Sequence, residues 1–178
     1  MKKLLIIFIC IFSIFFSDPL KIVITSWEPY TGNNLLNQGF FTDLVKVIFD
    51  KLEYEYSICE MPWSRCLEET KNGKSDIIVG LSYELERTEF YEYSFPIWKS
   101  KTGFATKESN NQINIPEDLK HKTVVFYRSS NFIKHFENID GITIEEANDT
   151  VTMLKMLQKG RVDYVFDNYD SINYVLNK

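Results

Sequence analysis

An α/β protein of two lobes is the fold class this sequence predicts, and three observations predict it. Short apolar strands alternate with stretches of helical periodicity from Lys21 onward, the order that builds mainly parallel sheets. One pattern occurs twice. KNGKSDIIVG from Lys71 and QKGRVDYVFD from Gln158 both run from a helix-ending glycine through a basic residue and an aspartate into an apolar strand. Finally, the 178 residues are 44% apolar, enough for two small sheets with a core each.

The elements follow in order. KIVITSW, from Lys21 to Trp27, is a strand, and EPYTGNN is a loop by its Pro, Gly and Asn content. FTDLVKVIFDKL places Phe41, Leu44, Val45, Ile48 and Leu52 on one face at helical spacing. EYEYSICE alternates Tyr54, Tyr56 and Ile58 with polar neighbours and reads as a strand. PWSRCLEETKNG opens a helix at Pro62, stripes Trp63, Cys66, Leu67 and Thr70, and stops at Gly73. DIIVGL is a buried strand, and KTGFATK bridges the two halves. In the second half IPEDLKHK is a short helix, TVVFY a strand, and SSNFIKHFENI a helix capped by Ser129 or Ser130. ITIEE is a strand, NDTVTMLKMLQKG a helix ended by Gly160, VDYVF a strand and SINYVLN a last helical piece.

Residues 1–17 have a different character. Lys2 and Lys3 precede an apolar run from Leu4 to Phe16, with Ser17 as a small residue at its end. That is the layout of a secretory signal peptide, cleaved near Ser17, with a retained N-terminal anchor as the alternative. The run falls short of the roughly 20 apolar residues a spanning helix needs. The expected organisation is therefore a leader at 1–17, a first lobe at 18–103 and a second lobe at 104–178, working in the periplasm or outside the cell.

Charge and cysteine content narrow the function classes. The net charge of −5 argues against nucleic acid or an anionic membrane surface as partner. Cys59 and Cys66 either pair in an oxidising compartment or stay free, which spacing alone leaves open. Together with the distant His121 and His135 they form no metal-site pattern, so no metal and no cofactor are expected.

The stretch with most chemistry is GLSYELERTEFYEY, in which Arg87 stands among Glu84, Glu86, Glu89 and Glu92. An exposed arginine paired with Glu84 or Glu86 is the plain reading. Position favours another one. Gly80, Leu81 and Ser82 turn the chain at the carboxyl end of the DIIVGL strand, where α/β proteins place their ligands, and Arg87 follows within a helical turn. A guanidinium is a planar fork that fits a carboxylate. Ser82 adds a hydroxyl, and the start of a helix adds free amide N–H groups. Trp27, Tyr30 and Trp63 also fall just after strand ends, where their rings either stack on a ligand or pack the core.

Taken end to end, these motifs resemble the extracellular solute-binding proteins of family 3, the periplasmic amino-acid-binding type of ABC importers. SWEPYTG is similar to that family's opening loop, and GFFTDLVKVIFDKL to its first helix. The segment from Pro62 to Trp98 resembles the core signature, IPEDLKHKTVVF the entry to the second lobe, and KGRVDYVFDN its later strand. The resemblance implies a two-lobed periplasmic-binding-protein type II fold. It implies that Arg87 grips the α-carboxylate of an amino acid with help from Ser82. Glu84 stands where the family has a threonine, and would repel that carboxylate unless it turns away. The resemblance places a carboxylate-binding turn at Arg128, Ser129 and Ser130, with Arg128 where glycine is usual. It puts the amine-binding position at Asn168, preceded by Asp167. It further implies a final return strand and helix beyond Lys178, so the chain reads as a C-terminally shortened member with a looser cleft.

The implied function is capture of a small polar carboxylate, most naturally an amino acid, by a monomer that serves an ABC permease. Three alternatives stand beside it. One is a shortened remnant that no longer binds. Another is a dehydratase-like enzyme, for which Glu28, Glu84 and Asp167 are the acids on offer and form no recognisable catalytic set. The last is a sensory domain on the same fold.

Overall fold

The computed structural model describes residues 18–107, 113–114 and 116–178; the leader expected at 1–17 lies outside the described residues. Two sheets form. In the first, β1 (Leu20–Ile24) lies between β2 (Tyr56–Glu60) and β3 (Ile77–Ile78), all parallel. In the second the order is β4 (Thr102–Ala105), β7 (Tyr164–Asn168), β5 (Thr123–Tyr127) and β6 (Thr143–Ala147). Only β4 runs antiparallel to its neighbour. Helices α1 (Phe40–Lys51), α2 (Trp63–Lys71), α3 (Thr150–Gln158) and α4 (Tyr169–Leu176) complete the α/β architecture.

The duplicated sequence pattern is also a duplicated hydrogen-bond pattern. Gly73 and Gly160 both adopt the left-handed conformation, at φ 67° and 68°, which glycine enters without steric penalty at a helix end. Three residues later, Asp76 accepts the Lys21 N–H at 2.8 Å on Oδ2 while its own N–H donates to the Lys21 carbonyl at 2.8 Å. Asp163 does the same with Thr123, again at 2.8 Å in both directions. Each aspartate thus ties the entry of its strand to the first residues of the neighbouring one, which fixes register.

Alternation along the strands divides the second sheet between two cores. Val124, Phe126, Tyr164 and Phe166 face one cluster with Leu119, while Val125 and Val165 face another with Met153 and Leu157. This is the period-two geometry of a sheet covered on both sides. The first sheet packs Ile22, Ile24, Phe41 and Val79 around Tyr30. Each such fully buried side chain contributes roughly 1.5–3 kcal/mol relative to exposure.

Several local expectations change. The buried stripe of α1 is Phe41, Val45 and Phe49, whereas Ile48 and Leu52 are exposed; both stripes have helical spacing, and the sheet decides which one is covered. The expected helices at IPEDLKHK and SSNFIKHFENI are short 3-10 turns, Pro116–Leu119 and Asn131–His135, the second capped by the Ser130 hydroxyl. The DIIVGL strand pairs over two residues only. Cys59 and Cys66 are free thiols. Burial pushes the Cys66 thiol up to about 12, and it donates to the Ile24 carbonyl at 3.3 Å.

Candidate functional site

The carboxyl ends of β1, β2, β3, β5 and β7 and the start of antiparallel β4 converge on one cavity of about 110 Å³. Thr25 and Trp27 follow β1, Trp63 follows β2, and Gly80, Ser82 and Arg87 follow β3. From the second sheet come Tyr127 at the end of β5, then Ser130 and Asn131, and Asp167 and Asn168 at the end of β7. A crevice at strand carboxyl ends is where open α/β sheets take their ligands. The volume is a few times what one water needs, which suits a small solute.

Seven of the nine residues expected at the site line this cavity: Trp27, Trp63, Gly80, Ser82, Arg87, Ser130 and Asn168. Gly80 is there for a steric reason. Its φ is 85°, and a Cβ would come within 3.1 Å of the Trp27 ring. Tyr30 and Ser129 do not line it. Tyr30 is 2% exposed, behind Trp27, with ring centroids 4.6 Å apart. Ser129 faces out, at φ 59°. The left-handed position of that turn, where glycine would be comfortable, is therefore Ser129 and not Arg128. Arg128 points to Glu146 at 4.0 Å and is exposed.

Arg87 sits in a five-residue 3-10 turn, Leu85–Glu89, rather than at the head of a longer helix. Its guanidinium makes one contact, from Nη1 to the Ser82 carbonyl at 3.3 Å. The expected plain pairing with Glu84 or Glu86 does not form, because both acids reach across the cleft instead. Asn131 Nδ2 donates to Glu84 Oε1, and Lys134 Nζ lies 3.3 Å from Glu84 and 3.2 Å from Glu86. Glu86 and then Glu84 hold the Lys134 ammonium above its ordinary value. Glu84 has thus turned from the carboxylate position to a bridge between the sheets. Among the described residues Arg87 has no carboxylate partner, so its fork is free for an anion.

Two further bridges cross the cleft. The Tyr127 hydroxyl donates to the Ser26 carbonyl at 2.9 Å and lies 3.1 Å from the Thr25 hydroxyl. The Tyr30 hydroxyl shares its hydrogen bonding between Asn168 Oδ1 at 3.1 Å and Asp170 Oδ2 at 2.7 Å. Burial, joined at Tyr30 by the Asp170 carboxylate, raises both phenols, Tyr127 to about 12. Because the Glu84–Asn131–Lys134–Glu86 bridge is partly exposed, its effect is a modest bias toward the closed cleft. Lys134→Met is expected to weaken ligand binding about threefold at low salt, with the difference from the parent vanishing in 1 M salt. Equal affinities at low salt would refute the bridge's part in closure.

The acid of the site is Asp167, which is 8% exposed. Desolvation raises its carboxyl to about 6, partly countered by the Thr150 hydroxyl and the Asn168 N–H. Thr150 donates to Oδ2 at 2.5 Å and the Asn168 N–H to Oδ1 at 2.7 Å. Each carboxylate oxygen keeps a lone pair. Asn168 differs: its Oδ1 already receives the Tyr30 hydroxyl and the Asp170 N–H that caps α4. Tyr127, Thr25, Ser100, Thr102, Asn131, Phe132 and Phe166 were not foreseen as lining residues, and Asp167 was considered only as a catalytic acid. Tyr127 and Asp167 end apolar strands, and the strand-end rule that selected Arg87 selects them equally. Glu28 and Glu84, the other acids considered for catalysis, do not line the cavity; Glu28 pairs with Lys178 at 3.3 Å.

The strand ends of the two sheets thus meet at a cavity lined by one arginine, Arg87, and one buried acid, Asp167. The chain belongs to the bacterial extracellular solute-binding proteins, family 3, whose family model matches residues 21–169. That is a family of binding proteins and not of enzymes. Over 154 residues the chain is 24% identical to the L-cystine-binding protein TcyA of Bacillus subtilis (strain 168), covering 84% of this chain and 57% of that protein. It is 29% identical over 138 residues to YxeM of the same organism, described as a probable amino-acid-binding protein, covering 75% and 52%. The chain thus spans about half the length of these curated relatives. The fold matches that of an ancestral arginine-binding protein bound to glutamine with a TM-score of 0.77 at 24% identity, over 89% of this chain and 73% of the other.

Proposed function

We propose that this chain captures a free amino acid between its two lobes, at 18–103 and 104–178, outside the cytoplasm, and delivers it to an ABC import permease. The observation that carries the reading is Arg87: a guanidinium with no carboxylate partner among the described residues, lining a cavity that also holds the buried Asp167. Arg87 takes the ligand carboxylate as a bidentate fork, with Ser82 and Ser130 beside it. Asp167 takes the ammonium in place of Asn168, whose acceptor oxygen is already used twice. Trp27 and Trp63 cover the ligand, and Tyr30 supports Trp27 from behind while bridging the lobes. Family membership and relatives named for amino-acid binding support the ligand class. The family's character supports the permease and, with Lys2, Lys3 and the apolar run at 4–16, a secreted location.

A thermal melt tests the capture. A ligand at a hundred times its Kd stabilises the native state by about 2.7 kcal/mol, which raises Tm by roughly 5–10 °C in a chain of this size. If no amino acid in a full panel shifts the melt, the proposal fails.

A further inference from the structure

The charges around the cavity are few, and they restrict the ligand beyond its amino-acid head. Among the described residues, the lining holds one cation, Arg87, and one acid, Asp167. Other charged groups beside the lining are already engaged: Arg128 lies 4.0 Å from Glu146, Asp149 accepts from Thr152, and Asp170 accepts the Tyr30 hydroxyl. Glu84, Glu86 and Lys134 satisfy one another across the cleft, with Asn131 on the remaining Glu84 oxygen. The rest of the lining is neutral: hydroxyls from Ser100 and Thr102, and the rings of Trp27, Trp63 and Phe132.

We infer that the site selects a single zwitterion whose side chain carries no charge. The inference rests on the amino-acid reading above, in which Arg87 and Asp167 are occupied by the ligand's own carboxylate and ammonium. A third ligand charge would then enter a cavity walled by rings and hydroxyls with no counter-ion. Burying an unpaired charge is strongly unfavourable, whereas a neutral hydroxyl, amide or thioether finds either a hydrogen-bond partner or a ring. The same argument rejects a double zwitterion such as cystine, whose second head would need a second guanidinium and a second acid. It also rejects arginine and lysine, because Asp167, the one acid of the lining among the described residues, is already engaged.

Titration calorimetry of the full chain with pairs that differ in charge tests this: glutamine against glutamate and norleucine against lysine at nearly constant size, and S-methylcysteine against cystine, which adds a second zwitterionic head together with its bulk. In each pair the uncharged member, or the single zwitterion, is expected to bind at least tenfold more tightly. If glutamate, lysine or cystine equals or exceeds its partner, the selectivity is refuted while the amino-acid reading stands. If none of the six binds, and none of the remaining amino acids does, both fall together. The bridge supplies a second check. In a Lys134→Met variant Glu84 loses its ammonium partner beside the cavity, so lysine affinity is expected to rise at least threefold relative to norleucine. An unchanged ratio refutes the claim that the bridge keeps Glu84 out of the site.

Discussion

Arg87→Ala is expected to lower amino-acid affinity about a hundredfold or more while leaving Tm within a few degrees of the parent. The two halves of this expectation have separate causes. The guanidinium makes a single 3.3 Å contact to the Ser82 carbonyl in a partly exposed turn, so little of the fold depends on it. Substitutions at such positions usually change stability by about 0.5 kcal/mol or less. Binding is different, because removing one partner of a desolvated charged hydrogen-bond pair costs about 2–5 kcal/mol, much of it the stranded charge left behind. At about 1.4 kcal/mol per decade this is roughly thirtyfold to several thousandfold in Kd. Arg87→Lys separates charge from shape: it keeps a cation but loses the planar fork, so it is expected to fall between parent and alanine variant. Titration calorimetry beside a thermal melt reads both halves. An alanine variant that binds within threefold of the parent would place the carboxylate elsewhere in the cavity.

Arg87 was legible in the sequence because its position is defined locally. An apolar strand ends at Gly80, the chain turns, and the next cation is Arg87. The repeated glycine–aspartate–strand pattern was legible for the same reason, and it proves to encode one hydrogen-bond device used twice, at Asp76 and Asp163. What sequence could not divide was lining from backing. Trp27 and Tyr30 both follow β1, yet one borders the cavity and the other lies beneath it. The difference is made by partners at the end of β7 and the start of α4, Asn168 and Asp170, which are more than a hundred residues distant along the chain. Asn168 shows the same limit: it lines the cavity as expected, but its further partners lie elsewhere in the fold. Its carboxamide looked free for a ligand until the cap of α4 and the Tyr30 hydroxyl claimed it. The α1 stripe shows a related limit. Phe49 and Ile48 are equally apolar, and only the sheet beneath determines which is covered. Glu84 was the most informative departure. Sequence raised the question of where its charge would go, and Asn131 and Lys134 answer it across the cleft.

Asp167→Asn is expected to make the chain more stable at neutral pH and, at the same time, a poor amino-acid binder. The Asp167 carboxyl is raised from its ordinary 3.8 to about 6 by burial, so at pH 7 the folded chain holds a charge that would be better solvated in the unfolded one. The sign follows from proton binding. Between about pH 4 and pH 6 the native state binds more protons than the unfolded state, so Asp167 makes the parent less stable as pH rises through that window. Above it the penalty is complete, on the order of 3 kcal/mol. Below about pH 4 the carboxyl is neutral in both states and the penalty vanishes. The phenols of Tyr127 and Tyr30, both raised by burial, stay neutral across this range, so the pH dependence here is assigned to Asp167. Asparagine keeps the shape: its oxygen accepts the Asn168 N–H, and its amide donates to a Thr150 hydroxyl that rotates to accept. Tm at pH 7 is then expected to rise by roughly 6–12 °C, with the advantage shrinking to nothing near pH 4. The ligand ammonium loses its counter-ion, so affinity falls about a hundredfold, and the parent's own affinity weakens as pH drops below about 6. This is the pattern of a binding group retained against stability. Melts from pH 4 to 8 and calorimetry at pH 7 decide it: a variant less stable than the parent at pH 7 would refute the burial argument, and one that binds as tightly would move the ammonium away from Asp167.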